Sequence, residues 1–306
     1  VIKEQFVQDT IKRALTTIAV DHKSRLYVSV YQKGIYYLEN GKWIDCGQFP
    51  ATEKDIFISK IVFDRTDHNR LLLLTDDGIY ALKDKLLQPY AGKLTAAIRK
   101  PMLCLEQDTA ANLWVGTNNG AYYLNLQKQQ ATHLMAINGL SDNAITDIYN
   151  DADNNLWLAS QGNGFYKYEG NQFVTFDRSQ GLPDNELVIG ITKDKANNVL
   201  LGIDGGGLLR YDGKKLATVS LPVKNPEINK IQCLYTDKNG VVWIGTRQGG
   251  LWAYDKNNFV QGKGSDDYAI NAITEDEHEV IMPKTSNGSF YLENNTLKKR
   301  ILPVAL

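Results

Sequence analysis

Seven side chains recur at one place in a repeated phrase, and they are the groups in this sequence best suited to holding a ligand. They are Tyr31, Asp76, Asn118, Gln161, Asp204, Arg247 and Thr285, each standing shortly before a glycine that ends the phrase. Their phenol, carboxylate, carboxamide, guanidinium and hydroxyl groups offer donors and acceptors of both kinds, the inventory needed by a neutral or weakly anionic sugar. Arg247 and Asp204 fall on consecutive repeats with opposite charge, and such a pair can orient a polar ligand through charge-assisted hydrogen bonds. Taken singly, each of the seven reads first as a solvated turn residue. It is the recurrence of the set that reads as a ligand-binding site.

Other chemistry finds less support. His22, His68, His133 and His278 fall at non-equivalent places without metal-ligand spacing. The run Asp151-Ala-Asp-Asn-Asn155 resembles the start of a calcium loop, but Leu156 replaces the sixth-position glycine and Gly162 the distal glutamate, so it reads as an Asx turn. Carboxylates are plentiful, yet no motif brings two of them into glycosidase range. Gly205-Gly-Gly207 and Gly249-Gly250 could suggest a phosphate loop, but no helix follows to supply an N-terminus. No catalytic residue, metal or cofactor is expected. Lys60 and Asp147 share a position that Cys104, Gly190, Cys233 and Ala272 otherwise keep small, and they read as polar groups satisfied within the structure or by water in a central channel.

The elements that position these groups follow from the phrase itself, clearest in Asn112-Leu-Trp-Val-Gly-Thr-Asn-Asn-Gly120 and Val241-Val-Trp-Ile-Gly-Thr-Arg-Gln-Gly-Gly250. Its closing glycines are Gly34, Gly78, Gly120, Gly164, Gly207, Gly250 and Gly288, 38 to 44 residues apart. A fixed period near forty with strand-like content marks a β-propeller. In the fourth unit, segments 143–150, 156–160, 164–168 and 172–176 read as strands separated by Asn, Asp and Gly turns, making one antiparallel blade. The expected fold is an all-β, seven-bladed propeller of four-stranded antiparallel blades occupying residues 1–306 as one domain.

Two rows of apolar residues mark where the units pack. Ile18, Ile61, Leu105, Ile148, Ile191, Leu234 and Ile273 lie three residues before the aspartate that closes each first strand. Tyr36, Tyr80, Tyr122, Tyr166, Leu209, Trp252 and Phe290 lie two after each glycine. A blade cannot bury both faces alone, so these rows pack against neighbouring blades, each large side chain contributing roughly 1.5–3 kcal/mol. Trp114, Trp157 and Trp243 recur at one position and read as core rather than as a sugar platform. Residues 296–306 are expected to supply the outer strand of the last blade, with residues 1–7 an added segment lying on the ring.

A formal net charge of −1 with interspersed signs argues against nucleic acid or anionic lipid as a partner. No run of about 18 apolar residues is present to insert in a membrane. The first residue is Val1, as expected of a processed or trimmed chain whose targeting segment would not be seen. Of the three cysteines, Cys104 and Cys233 hold equivalent positions on different units, too far apart for a disulfide, so free buried thiols are expected.

The sequence resembles the two-component regulator propeller repeat, best in Asp237-Lys-Asn-Gly-Val-Val-Trp-Ile-Gly-Thr-Arg-Gln-Gly-Gly-Leu-Trp-Ala-Tyr254 and in the connections Gly139-Leu-Ser-Asp-Asn143 and Gly181-Leu-Pro-Asp-Asn185. Units 3 to 6 carry the pattern well. Units 1, 2 and 7 have drifted, with Tyr27, Leu72 and Ile281 read at the tryptophan position and Pro283 at the glycine. The resemblance implies an extracytoplasmic, periplasmic or extracellular sensing domain of a bacterial hybrid sensor kinase, responding to polysaccharide fragments and joined to further domains of the sensor kinase. A protein-interaction scaffold, with Trp43 or Tyr90 at an exposed edge, and a propeller lyase that opens cyclic ester antibiotics are the alternatives. An apolar patch away from the upper mouth would mark the scaffold, and a His–carboxylate pair in the mouth the lyase.

Overall fold

The computed structural model describes residues 15–299 apart from 22, 24, 41, 48–55, 136–138, 141–143, 152, 171, 183–186, 221, 223–225, 277–278 and 286. Seven four-stranded antiparallel sheets, each contiguous in sequence, form a seven-bladed propeller. The first strand of each blade touches the first strand of the next, and that of blade 7 (Ile270–Glu275) touches that of blade 1 (Leu15–Val20), which closes the ring around its axis. A short helix, Gly92–Thr95, sits in the connection from blade 2 to blade 3 and buries Leu94.

Each first strand ends in an aspartate that organises the lower turn. In blade 4 the Asp151 carboxylate accepts the backbone N–H groups of Asp153 and Asn155 at 3.0 and 2.7 Å and the indole N–H of Trp157 at 2.9 Å. Trp114 and Trp243 donate likewise to Asp108 and Asp237, at 3.2 and 2.7 Å. In blades 1 and 2, which lack the tryptophan, an arginine donates instead: Arg25 Nε reaches Asp21 at 2.8 Å and Arg70 Nε reaches Asp64 at 2.7 Å. The recurring Asp and Trp are therefore one latch joining the turn to the second strand. All three tryptophans are buried, as are most members of both apolar rows, with Leu234 and Tyr36 partly so. Trp157, Phe165 and Phe176 of blade 4 pack with Ile191, Leu201 and Leu209 of blade 5, so the core lies between blades.

The upper turns obey a second rule. A Thr or Ser ending the second strand donates its hydroxyl to the carbonyl of the closing glycine, in Thr75–Gly78, Thr117–Gly120, Ser160–Gly164, Thr246–Gly250 and Thr285–Gly288, at 2.8 to 3.2 Å. Gly164 needs its lack of a side chain: its φ is +75°, and a Cβ would lie 2.0 Å from the Phe176 carbonyl oxygen. Every first strand also carries a bulge in its upper half. The pairing skips Thr16, Ser59, Leu103, Thr146, Ile189, Gln232 and Asn271 in turn. A bulge leaves one residue out of the ladder and re-aims its side chain.

Closure uses only C-terminal strands in the last blade. Ile270–Glu275, Ile281–Thr285, Gly288–Glu293 and Thr296–Lys299 make blade 7, so the outer strand comes from residue 296 onward as expected. Residues 1–7, expected to lie on the ring, and 300–306 fall outside the described residues. The seam to blade 1 packs Met282 with Leu15, Ile18, Val28 and Val30, and Lys284 Nζ donates to the Thr16 carbonyl at 2.9 Å.

Pairing corrects the reading of blade 7 by one residue. Ala272 pairs with Lys284 as Cys233 pairs with Gly245, so Met282 and Lys284, not Ile281 and Pro283, hold the tryptophan and glycine positions. The upper turn of blade 7 is one residue shorter than that of blade 6, because Thr285 precedes its glycine by three residues and Thr246 by four. Counting back from the glycine therefore overshoots.

Candidate functional site

The same offset decides the fate of one candidate residue. Thr285 is 1% exposed. Its hydroxyl donates to the Gly288 carbonyl at 3.2 Å and accepts the Asn287 N–H at 2.9 Å, so it closes a strand instead of facing ligand. The equivalent turn position is residue 286, outside the described residues.

The other six stand on the upper turns. Backbone N–H groups of Asp76, Gln161, Asp204 and Arg247 donate to the carbonyls of Phe57, Ala144, Leu187 and Lys230, the residues just before the first strands of their own blades. That fixes these four above the innermost pair of strands, at the rim of the channel. Adjacent blades are joined there too: Gly205 N–H donates to the Asn229 carbonyl at 2.9 Å, from blade 5 to blade 6.

Two groups of candidates come together. Tyr31 lies 6.4 Å, ring to ring, from Phe57, whose N–H donates to the Asp76 carboxylate at 3.1 Å. On the other side Arg247 Nη2 meets Asp204 Oδ2 at 3.0 Å, with the two side chains 47% and 23% exposed. Asn118 and Gln161 stand exposed on blades 3 and 4 between these groups. Below Arg247 opens a cavity of about 160 Å³ lined by Ile189, Ile231, Gln232, Arg247 and Asn271. Three of its five lining residues are the bulge residues of blades 5, 6 and 7. The Gln232 carboxamide oxygen is shut off from solvent and has no protein partner.

Gln232 and Asn271 were not among the sequence candidates. Each lies between apolar residues on a strand, which reads as the outward face of simple alternation. The available signal was the recurrence of polar residues Thr16, Ser59, Thr146, Gln232 and Asn271 at one position.

Deeper in the channel Lys60 approaches Glu106 at 3.9 Å. Burial alone would lower the Lys60 ammonium, but Asp147 and Glu106 outweigh it and hold it above the ordinary lysine range. Burial raises both carboxyls, against the pull of Lys60. Asp147 also accepts the N–H groups of Ile148 and Ile191, at 3.0 and 3.3 Å, which ties blade 4 to blade 5. This cluster is satisfied internally.

The remaining reactive types have structural partners. Cys104 and Cys233 are free thiols that donate to the Ile145 and Ile270 carbonyls of the next blade, and burial pushes Cys233 up to about 12. His133 stacks on Tyr122 with centroids 4.1 Å apart, and its Nε2 lies 2.7 Å from the Asn119 carbonyl oxygen. Asp151, the head of the run resembling a calcium loop, is engaged by Lys193 at 2.6 Å as well as by Trp157 and Asn155. His22 and His278 lie outside the described residues.

Residues 139–162 and 226–248, from the connections entering blades 4 and 6 through their second strands, match the two component regulator propeller family. The chain carries that family's repeat. No curated protein matches the sequence. Among solved structures, the extracellular domain of BT4673 from B. thetaiotaomicron, described as a hybrid two component system, is similar over 92% of this chain and 38% of its own, with 21% identity and a TM-score of 0.72. Virginiamycin B lyase from Staphylococcus aureus is similar over 94% of this chain and 96% of its own, with 14% identity and a TM-score of 0.70. YCF48 bound to D1 peptide shares 10% identity over 93% and 95% of the two chains, with a TM-score of 0.69. At these identities the likeness is one of fold. The chain thus spans little more than a third of the B. thetaiotaomicron structure. Among the described residues no helix is long and apolar enough to cross a membrane.

Proposed function

We propose that this propeller is a ligand-sensing domain of a bacterial two-component sensor, placed on the periplasmic or extracellular side of the envelope, and that it binds a carbohydrate or other small polar ligand at the upper mouth. The observation that carries the reading is the Asp204–Arg247 ion pair on the rim of a cavity that also exposes carboxamides. Loops on a rigid scaffold are where propellers place recognition, and a concave site with few convergent polar groups suits a small ligand. The repeat family and the extracellular neighbour support a sensing role and the location. Further sensor domains are the partners this reading calls for.

Charge-assisted hydrogen bonds from Arg247 contribute about 1.5–3 kcal/mol each, against at most about 1 kcal/mol for a merely solvated surface pair. Calorimetry against a panel of oligosaccharides, with Arg247→Ala and Asp204→Ala beside the wild type, tests it. A ligand weakened by at least several-fold in both variants is expected. A ligand that binds both variants like the wild type places the site elsewhere.

The scaffold alternative asks for an apolar patch away from the mouth. Among the described residues the large exposed hydrophobics are Tyr31 and Phe57 at the rim, and Leu86 and Val260 on the outer strands of two non-adjacent blades. Tyr31 and Phe57 adjoin at the mouth itself, and Leu86 and Val260 stand on separate blades, so these residues form no patch away from the mouth. The lyase reading has in its favour the near-complete mutual coverage with virginiamycin B lyase, and incubation with quinupristin followed by chromatography tests it directly.

A further inference from the structure

Across the mouth from Asp204 and Arg247, two aromatic rings stand exposed side by side. Tyr31 of blade 1 is 36% and Phe57 of blade 2 is 45% exposed, with centroids 6.4 Å apart and planes at 55° to each other. We infer that they form a stacking corner for one neutral pyranose unit of an oligosaccharide, with the Asp76 carboxylate accepting from that unit's hydroxyls. The inference rests on the reading that the upper mouth binds ligand; it adds a second subsite and names the unit held there.

The repeat sets these two rings apart. Tyr31 is the one aromatic among the seven upper-turn candidates, and Phe57 is the one aromatic among the residues that immediately precede the seven first strands. Both exceptions fall at the boundary between blades 1 and 2, so each ring has the other for its neighbour. The recurring aromatics Tyr80, Tyr122, Tyr166, Trp252 and Phe290 are buried between blades, and a core role accounts for them. It does not account for Tyr31 and Phe57. Single exposed apolar side chains need no explanation, but adjoining ones at a concave mouth mark a place where something binds.

Phe57 is also held in place. The Asp76 N–H donates to the Phe57 carbonyl at 3.2 Å, and the Phe57 N–H donates back to Asp76 Oδ1 at 3.1 Å. One turn therefore grips both backbone groups of the residue that presents the ring. Asp76 is exposed, and its Oδ2 has no protein donor among the described residues. Ser59, displaced by the bulge of the same strand, is exposed too, and its hydroxyl donates to the Leu74 carbonyl, which leaves its oxygen as an acceptor. The polar groups flanking the rings are thus acceptors, and the ligand must bring donors.

A pyranose meets both demands, with a C–H face for an aromatic ring and hydroxyl donors around its rim. An organic cation would also suit a ring beside a carboxylate, but the charges here balance. Lys33 follows Tyr31 on one turn, Asp76 and Asp77 stand on the other, and Asp77 is paired with Lys100 at 2.6 Å. No surplus negative charge is left to select a cation. Because the corner and Arg247 lie on opposite sides of the ring, a ligand that touches both crosses the mouth, which asks for a chain of several sugar units.

The test is calorimetric titration with four neutral hexasaccharides, cellohexaose, maltohexaose, mannohexaose and xylohexaose, and with tetramethylammonium. The wild type is compared with Tyr31→Ala, Phe57→Ala, Tyr31→Phe and Arg247→Ala, and thermal melts establish that each variant is folded. At least one hexasaccharide is expected to bind, to lose roughly 10-fold or more in each aromatic-to-alanine variant, and to keep wild-type affinity in Tyr31→Phe, which retains the ring. A hexasaccharide that binds Tyr31→Ala and Phe57→Ala like the wild type overturns the inference, and if Arg247→Ala weakens it the sensing reading stands. Equal losses in Tyr31→Ala and Tyr31→Phe would assign the effect to the phenol hydroxyl and overturn stacking. Binding of tetramethylammonium, but of no hexasaccharide, in a Phe57-dependent way would make the corner a cation site. If no neutral hexasaccharide binds while a charged oligosaccharide does so in an Arg247-dependent way, this inference falls alone. If no oligosaccharide binds, both fall.

Discussion

Replacing Trp157 tests the architecture at its most repeated point. The side chain is 5% exposed. It packs on Phe165 and Phe176 with centroids 6.1 and 6.2 Å away and lies under the Lys193 ammonium at 5.8 Å. Trp157→Ala removes this packing and leaves a cavity, a loss of about 3–5 kcal/mol. Trp157→Phe keeps much of the volume but deletes the 2.9 Å bond from the indole N–H to Asp151. Hydrogen bonds to charged groups contribute about 1.5–3 kcal/mol, and the lower end applies here because Asn155 and Lys193 still serve that carboxylate. With a urea slope of about 3 kcal/mol/M, the alanine variant should lower the unfolding midpoint by roughly 1 to 1.7 M and the phenylalanine variant by about half as much. Tryptophan-independent far-UV circular dichroism reads both. A wild-type midpoint in Trp157→Ala would refute the core assignment, and equal losses in the two variants would show that the latch, not packing, carries the effect.

Acid should unlatch the lower turns. Burial would raise Asp151, but its bonds from Lys193, Trp157 and Asn155 win and hold it below the usual carboxylate range. Asp64 is held down likewise by Thr66 and Arg70 against the effect of burial. A depressed folded pKa gives stability that is complete above the unfolded value of about 3.9 and is lost as pH falls through the folded one. Melting temperature should therefore hold down to about pH 4 and fall below it, and Asp151→Asn should flatten part of that fall; an unchanged melt at pH 2.5 would contradict this. Gly116→Ala places a Cβ 2.4 Å from Cys104 Sγ and 2.6 Å from the Ile145 carbonyl oxygen, an overpacking cost of about 1–3 kcal/mol that a denaturant titration would detect. Burial raises Cys104, Cys233 and Cys46, the last two to about 12. A disulfide reagent at pH 8 should react slowly with the folded protein and rapidly with all three thiols in denaturant, and rapid modification of Cys233 in the fold would show an opening between blades 6 and 7.

The repeat made the ring legible because each blade restates the same physical solution. The Asp, the Trp and the closing glycine are fixed by one latch and one tight turn, so their spacing survives where other residues drift. The blade count, the buried tryptophans and the C-terminal outer strand follow from that spacing. Blade 7 was misread because a shortened turn changes the count without changing the chemistry, which moved Thr285 onto the rim and hid Lys284 in a glycine position. The Gln232 and Asn271 side chains were hidden for another reason. A bulge breaks the two-residue alternation of a strand, and nothing in the local pattern of Ile231-Gln-Cys or Ile270-Asn-Ala announces the break. Only the comparison of all seven first strands does. The Asp204–Arg247 contact was legible from blade order, since equivalent positions on consecutive blades are neighbours.

The central claim is that ligand is held at the upper mouth over blades 5 to 7. A crystal structure of the complex with the ligand selected by calorimetry tests it most directly. The account predicts ligand oxygen atoms within about 3.2 Å of the Arg247 guanidinium, with Asp204 still paired to it. Ligand found on the lower face, beside the Asp151–Asn155 turn and its counterparts, or on the outer strands, would contradict it.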